Sequence, residues 1–175
     1  MMLIEKSPVR SAVYAIIQPF LQIALLRRPP QDLPCSRLLL GLTLAVHLLL
    51  GILLYLFQYP FFTALIAAAA GTSMLCILSY SLLSMNGLRQ RFVQTLSALA
   101  GTDIVIGLIS IPVITLSASG PASLLYFLIL IWNLAVASHI LRHALSVNPL
   151  QGFAFALVFF LITIIVTQPL LPSGL

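Results

Sequence analysis

Asp103 is the residue of this chain best placed to do chemistry, because it sits near the middle of an apolar run, Thr95 to Leu116 (TLSALAGTDIVIGLISIPVITL). On a helix Ala100, Asp103, Gly107, Ser110 and Ile114 follow i, i+3, i+7, i+10 and i+14, so they share one face. That face is small and polar, while Ile104, Val105, Ile106 and Ile109 largely turn elsewhere. A carboxylate is costly against lipid at that depth, so the face is expected to look into a helix bundle. Other apolar runs carry His47, Thr72-Ser73 and Asn133. Counted from the basic ends of their segments, His47, Asp103 and Asn133 lie about 14 to 15 Å deep at the helical rise per residue. Thr72 and Ser73 fall at a comparable level.

Two chemistries fit such an intramembrane polar layer. Asp103 and His47 are the titrating pair of a proton- or ion-responsive site, or the layer is a polar clasp that fixes helix order. A buried Asp needs a donor, which His47 or Asn133 can supply. The clasp is preferred, because the repeats and broken helices usual in transporters are not visible. No HExxH, GxSxG or Walker loop occurs, and Glu5 and Asp32 lie far from Asp103 in depth. Intramembrane aspartyl catalysis needs a second acid in the bilayer, so the chain is read as no enzyme, with no cofactor and no metal.

The elements that must position these residues follow from composition. Of 175 residues 61% are hydrophobic and 6% charged, against about 25% charged in soluble domains. The fold class is therefore all-α, a polytopic bundle of membrane helices. Five runs are long enough to span a bilayer, at about 38–57, 61–83, 95–116, 124–143 and 150–170. Gln58-Tyr59-Pro60, Asn86-Gly87, Ser117–Ser123 and Asn148-Pro149 separate them. Small residues at four-residue spacing (Gly41/Ala45, Ala64/Ala68/Thr72, Gly152/Ala156) give several spans a face for close helix packing. Cys35 and Cys76 have no metal or redox spacing, and a disulfide between them is not expected.

Residues 1–37 form a separate segment ahead of the five-helix domain at 38–175. Val9, Val13, Ile16, Phe20 and Ile23 make one stripe and Arg10, Tyr14, Gln18 and Gln22 another, which predicts an amphipathic helix lying on the membrane. Pro29 and Pro30 then stop it. A sixth buried span is the competing reading, disfavoured because the polar stripe needs partners.

The net charge of +5 does not mark a nucleic-acid binder, since the basic residues are scattered at segment boundaries. With five spans Lys6, Arg10, Arg27, Arg28, Arg37, Arg89, Arg91 and Arg142 all fall on one side, which the positive-inside rule makes cytoplasmic. His139 and Arg142 share a face at i, i+3 with His143 beside them. With Arg10, Arg27, Arg28, Arg89 and Arg91 they are the candidate contacts to lipid head groups, of the snorkelling kind. The expected partners are the bilayer and other membrane proteins, or a second copy of the chain.

Two stretches, RQRFVQTLSALAGTDIVIGLISIPVI (Arg89 to Ile114) and IWNLAVASHILRHALSVNPLQGFAFAL (Ile131 to Leu157), resemble the Yip1-like family of five-span membrane proteins. The first is similar to the family's basic approach to its third span. The second is similar to its fourth-span Trp, polar turn and small-residue start of the fifth span. The resemblance implies a cytoplasmic N-terminal segment, an outward C-terminus and a non-enzymatic role, with no catalytic residues to transfer. The expected role is a scaffold or accessory subunit of a membrane complex, with a small oligomeric channel or transporter using the Asp103 layer as the alternative. Compactness suits a bacterial inner membrane. A topology reporter fused after Leu175 is expected to be inactive in the cytoplasm, and activity confined to the cytoplasm would overturn the five-span orientation.

Overall fold

The computed structural model describes residues 17–115 and 120–171, with side chains over 17–115 and 124–171. Arg10, the 9–16 half of the expected N-terminal helix, residues 117–119 and the side chains of 120–123 lie outside them. The long helices are α1 (Arg37–Leu56), α2 (Phe61–Met85), α3 (Phe92–Thr115), α4 (Gly120–Leu145) and α5 (Pro149–Thr167), and no strand occurs among the described residues. All five are long and apolar enough to cross a membrane. Their bounds follow the expected runs to within a few residues. Two starts differ most: α4 begins at Gly120, within the expected 117–123 loop, and α3 begins at Phe92, after Arg89–Arg91 coil into a 3-10 turn.

The helix ends carry their own signals. Ser36 Oγ accepts from the backbone N–H of Leu39 at 3.3 Å and caps α1. Asn148 and Gln151 close a reciprocal capping box on α5, with Pro149 in its first turn. Three helices end alike on the basic side, each with a left-handed residue and a backbone bond reaching back five positions. The pairs are Arg27 to Gln22, Leu88 to Leu83 and Val147 to Arg142, at 2.8, 2.8 and 3.0 Å. The left-handed residue is Gly87 in one of them, but Leu26 (φ 60°) and Ser146 (φ 58°) in the others. A side chain there costs about 1–2 kcal/mol, so these turns persist only because their surroundings impose them.

Around the bundle each helix touches two neighbours in the order α1, α2, α5, α4, α3 and back to α1, with a further α2–α3 contact. This ring leaves a central axis to which all five helices can contribute. α3 is the most enclosed, with every residue from Thr95 to Thr102 buried. A helix covered on all sides belongs in a core. The α4–α5 pair approaches closely at Gly152, where a β-carbon would sit 2.5 Å from Cβ of Arg142 and 2.9 Å from the carbonyl oxygen of Ser138. Ala64 and Ala68 are likewise buried, Ala68 against Gly51 of α1, whereas Gly41 and Ala45 face outward.

Residues 17–24 form the described part of the N-terminal helix. Its expected apolar stripe, Phe20 and Ile23, is turned onto the bundle rather than outward. Both are buried in one cluster with Leu33, Ala98, Leu99, Ile106, Val136, Ile140, Leu141 and Ala156. Phe20 lies over Gly101, filling the space a side chain there would need. The outward residues, Ile17, Leu21, Leu25 and Leu26, are apolar as well. The packed core thus occupies the basic half of the bundle, roofed by this segment.

Leu26→Gly relieves the left-handed strain without removing a side-chain hydrogen bond and is expected to stabilise the protein by about 1 kcal/mol. Gly152→Val pushes α5 off α4 and is expected to cost about 1–3 kcal/mol. Thermal unfolding of both variants in one detergent checks the opposite signs.

Candidate functional site

Four helices bring their midpoints together as a chain of polar contacts. Thr72 of α2 donates its hydroxyl to the carbonyl of Ala68 one turn earlier, at 2.9 Å. The same hydroxyl oxygen lies 3.1 Å from Nδ1 of His47 on α1. Nε2 of His47 faces Oδ2 of Asp103 on α3 at 3.5 Å, an ion-pair separation rather than a tight hydrogen bond. Asn133 of α4 donates its side-chain N–H to Oδ1 of Asp103 at 3.0 Å. His47, Asp103, Asn133 and Thr72 of the expected polar layer therefore meet. Ser73 does not, being exposed on the outer face of α2. One residue of helical rotation, about 100°, separates the two hydroxyl residues, and a sequence at one depth cannot show which of them turns inward.

The layer is not sealed. Side chains of His47 and Asp103 retain 19% and 33% of their accessible surface, and that surface meets two cavities. One, of about 280 Å³, is lined by all five helices, including Gly51, Leu75, Leu99, Ala137 and Phe159. The other, of about 310 Å³, lies among α1, α3, α4 and α5 on the far side from the arginines, with Leu54, Gly107, Ser110 and Tyr126 in its wall. Both share His47, Gly51, Asp103, Asn133 and Phe160. The polar layer is the partition between them. Each could hold several waters at about 30 Å³ apiece.

The basic side is chemically different. Arg91 lies against the end of α4, its guanidinium donating to the carbonyls of Ala144 (2.7 Å) and His143 (3.4 Å) and to Ser146 Oγ (2.9 Å). These are the acceptors a helix C-terminus leaves open, where a cation is also favoured by the dipole. Arg89 donates to Ser84 Oγ at 2.8 Å and lies over the Tyr80 ring. Arg28 is 3.9 Å from Asp32. Arg142 contacts Nε2 of His143 at 3.2 Å, and His143 stacks edge-on with His139. Arg27 is exposed. Several head-group candidates are thus engaged within the protein.

Sequence reading missed how the N-terminal segment is fastened. The carbonyl of Ala24 accepts from Trp132 Nε1 (2.9 Å), that of Arg28 from His139 (3.1 Å), and those of Gln31 and Leu33 from Gln94 (3.3 and 2.8 Å). Gln31 in turn donates to the carbonyl of His143 at 2.6 Å. Trp132 thus fastens the N-terminal segment, and its neighbour Asn133 makes the Asp103 contact. The only signal was the segment's broken helix, whose open carbonyls need donors. Ser79 and Ser97, fully buried on α2 and α3, have hydroxyls without a partner among the described residues. Cys35 and Cys76 are free. Among the described residues no three of His, Cys, Asp and Glu gather as a metal site requires.

Comparison with family models, curated proteins and solved structures finds no match.

Thr72→Val removes one interhelical hydrogen bond and is expected to cost about 0.6 kcal/mol, the usual size inside a membrane bundle. His47→Leu leaves the Asp103 carboxylate short of a partner and is expected to cost about 1–3 kcal/mol. Unfolding free energies measured in one lipid or detergent system order the two, and equal costs would contradict the network.

Proposed function

We propose that this chain is a non-catalytic, multi-pass protein of the Yip1-like kind that works as a small scaffold or accessory subunit of a membrane complex. The observation that carries this reading is the closed polar network. Thr72, His47, Asp103 and Asn133 find partners in one another across four helices, as in a clasp that holds helix order. The described connections between α1 and α2, α2 and α3, and α4 and α5 are only a few residues long, which gives no room for an extramembrane active domain there. Gly41 and Ala45 leave a small-residue face on the outside of α1, with nothing within 4 Å of where a Gly41 side chain would begin. Such a face suits another helix.

In this reading the membrane is a bacterial inner membrane, with the arginine side cytoplasmic and the C-terminus outside. The N-terminal segment then packs one edge on α3 and α4 through Phe20 and Ile23 and turns its apolar Ile17, Leu21 and Leu25 toward lipid.

The two cavities flanking Asp103 favour a second reading, a small oligomeric channel or transporter. Native mass spectrometry after mild-detergent purification at native expression separates them. A stoichiometric second protein, lost in Gly41→Leu, is expected for an accessory subunit. A homo-oligomer alone, with vesicle flux that Asp103→Asn abolishes, would replace the first reading by the second.

A further inference from the structure

We propose that the His47–Asp103 pair is a binding site for one exchangeable proton, shared between the two side chains and taken up from the cavities on either side. The inference concerns the protonation of the layer and stands whether the chain is an accessory subunit or a conduit.

The argument is a count of hydrogens along the network. The Ala68 carbonyl has none, so the 2.9 Å contact from Thr72 uses the single hydroxyl hydrogen of Thr72. The 3.1 Å contact between Thr72 and His47 must then use a hydrogen on Nδ1. With Nδ1 occupied, Nε2 and the Asp103 carboxylate attract each other across 3.5 Å only if one more proton lies on either side. The hydrogen that Asn133 donates to Asp103 goes to the other carboxylate oxygen, Oδ1, and does not lie in that gap.

Two arrangements satisfy the count, an imidazolium facing a carboxylate and a neutral imidazole facing a carboxylic acid. They differ by movement of one proton from Nε2 to Oδ2, and each leaves the pair neutral overall. Loss of that proton to solvent leaves one net negative charge in a low-dielectric bundle. It also breaks the count. Either the Nε2 lone pair faces the carboxylate, or Thr72 rotates its hydroxyl from Ala68 to Nδ1 so that Nε2–H can donate. Proton release is therefore coupled to a contact among α1, α2 and α3.

Access is provided by the accessible surface both side chains keep toward the cavities. The other titratable groups facing the pair are few. Tyr55 of α1 and Tyr126 of α4 line the cavities, and the lining residues of α2, α3 and α5 add no charge besides Asp103.

The test is a pH titration followed by magnetic resonance on full-length protein in lipid nanodiscs, with isotope-labelled histidine and aspartate. The chain has three His and three acidic residues, so assignment is tractable, and His139→Gln/His143→Gln isolates the His47 ring. The expected result is a single step in which the His47 ring and the Asp103 carboxyl change together, because coupled sites titrate as a pair. Nδ1 keeps its hydrogen on the acid side of the step. In Asp103→Asn the His47 ring has no carboxyl with which to share the proton, and the joint change is expected to be lost. Separate, independent changes of the two side chains in the unsubstituted pair would overturn the proposal, as would His47 signals left unchanged by Asp103→Asn. The first criterion needs no substitution at the layer, so it decides the matter even if Asp103→Asn fails to fold.

Discussion

An ionisable carboxyl halfway along an apolar helix must be paired or neutralised, and the arrangement of this bundle follows from that constraint. Asp103 is reached by His47 from α1 and Asn133 from α4, and His47 in turn reaches Thr72 of α2. α3 must therefore lie between α1 and α4, and α2 must lie beside α1. The ring order of the helices meets both conditions. Only α5 is outside the network, and it is held by close packing at Gly152 and by Ala156 in the core.

The bundle is asymmetric along its axis. Toward the arginines it is solid, with α3 enclosed over two turns and the N-terminal segment packed across α3 and α4. Toward the other end it is open, and the cavities reach the polar layer from there and from the ring's centre. The solid end is also where helix C-termini cluster, and where Arg91, Gln94, Gln31 and His139 donate to free carbonyls. Basic residues on that side thus have two uses. They carry the chain's positive charge at one end of the bundle, and they satisfy backbone acceptors that neither lipid nor helix can satisfy.

Much of this was legible in advance. Span number and approximate bounds follow from length and hydropathy, because in a bilayer the helix is the only continuous way for one chain segment to pair its own backbone. Convergence of His47, Thr72, Asp103 and Asn133 followed from depth alone, since polar groups at one level in lipid seek one another. Depth does not specify rotation, however. Thr72 and Ser73 share a level but not a face, and only the packing of α2 on α1 sends Thr72 inward. The small-residue faces show the same division. Ala64/Ala68 and Gly152/Ala156 are consumed inside the bundle while Gly41/Ala45 is not, although their spacing is alike.

By itself the amino-acid sequence determined an all-helical architecture with five membrane-length helices and the level at which their polar groups would meet. These are properties of single segments, set by backbone pairing, side-chain hydrophobicity and helical rise. Tertiary structure alone decided the helix order round the ring, the inward turn of the Phe20–Ile23 stripe, the left-handed turns at Leu26 and Ser146, and the cavities beside Asp103. Each depends on which surfaces meet, and that is settled by complementarity among helices far apart in the chain.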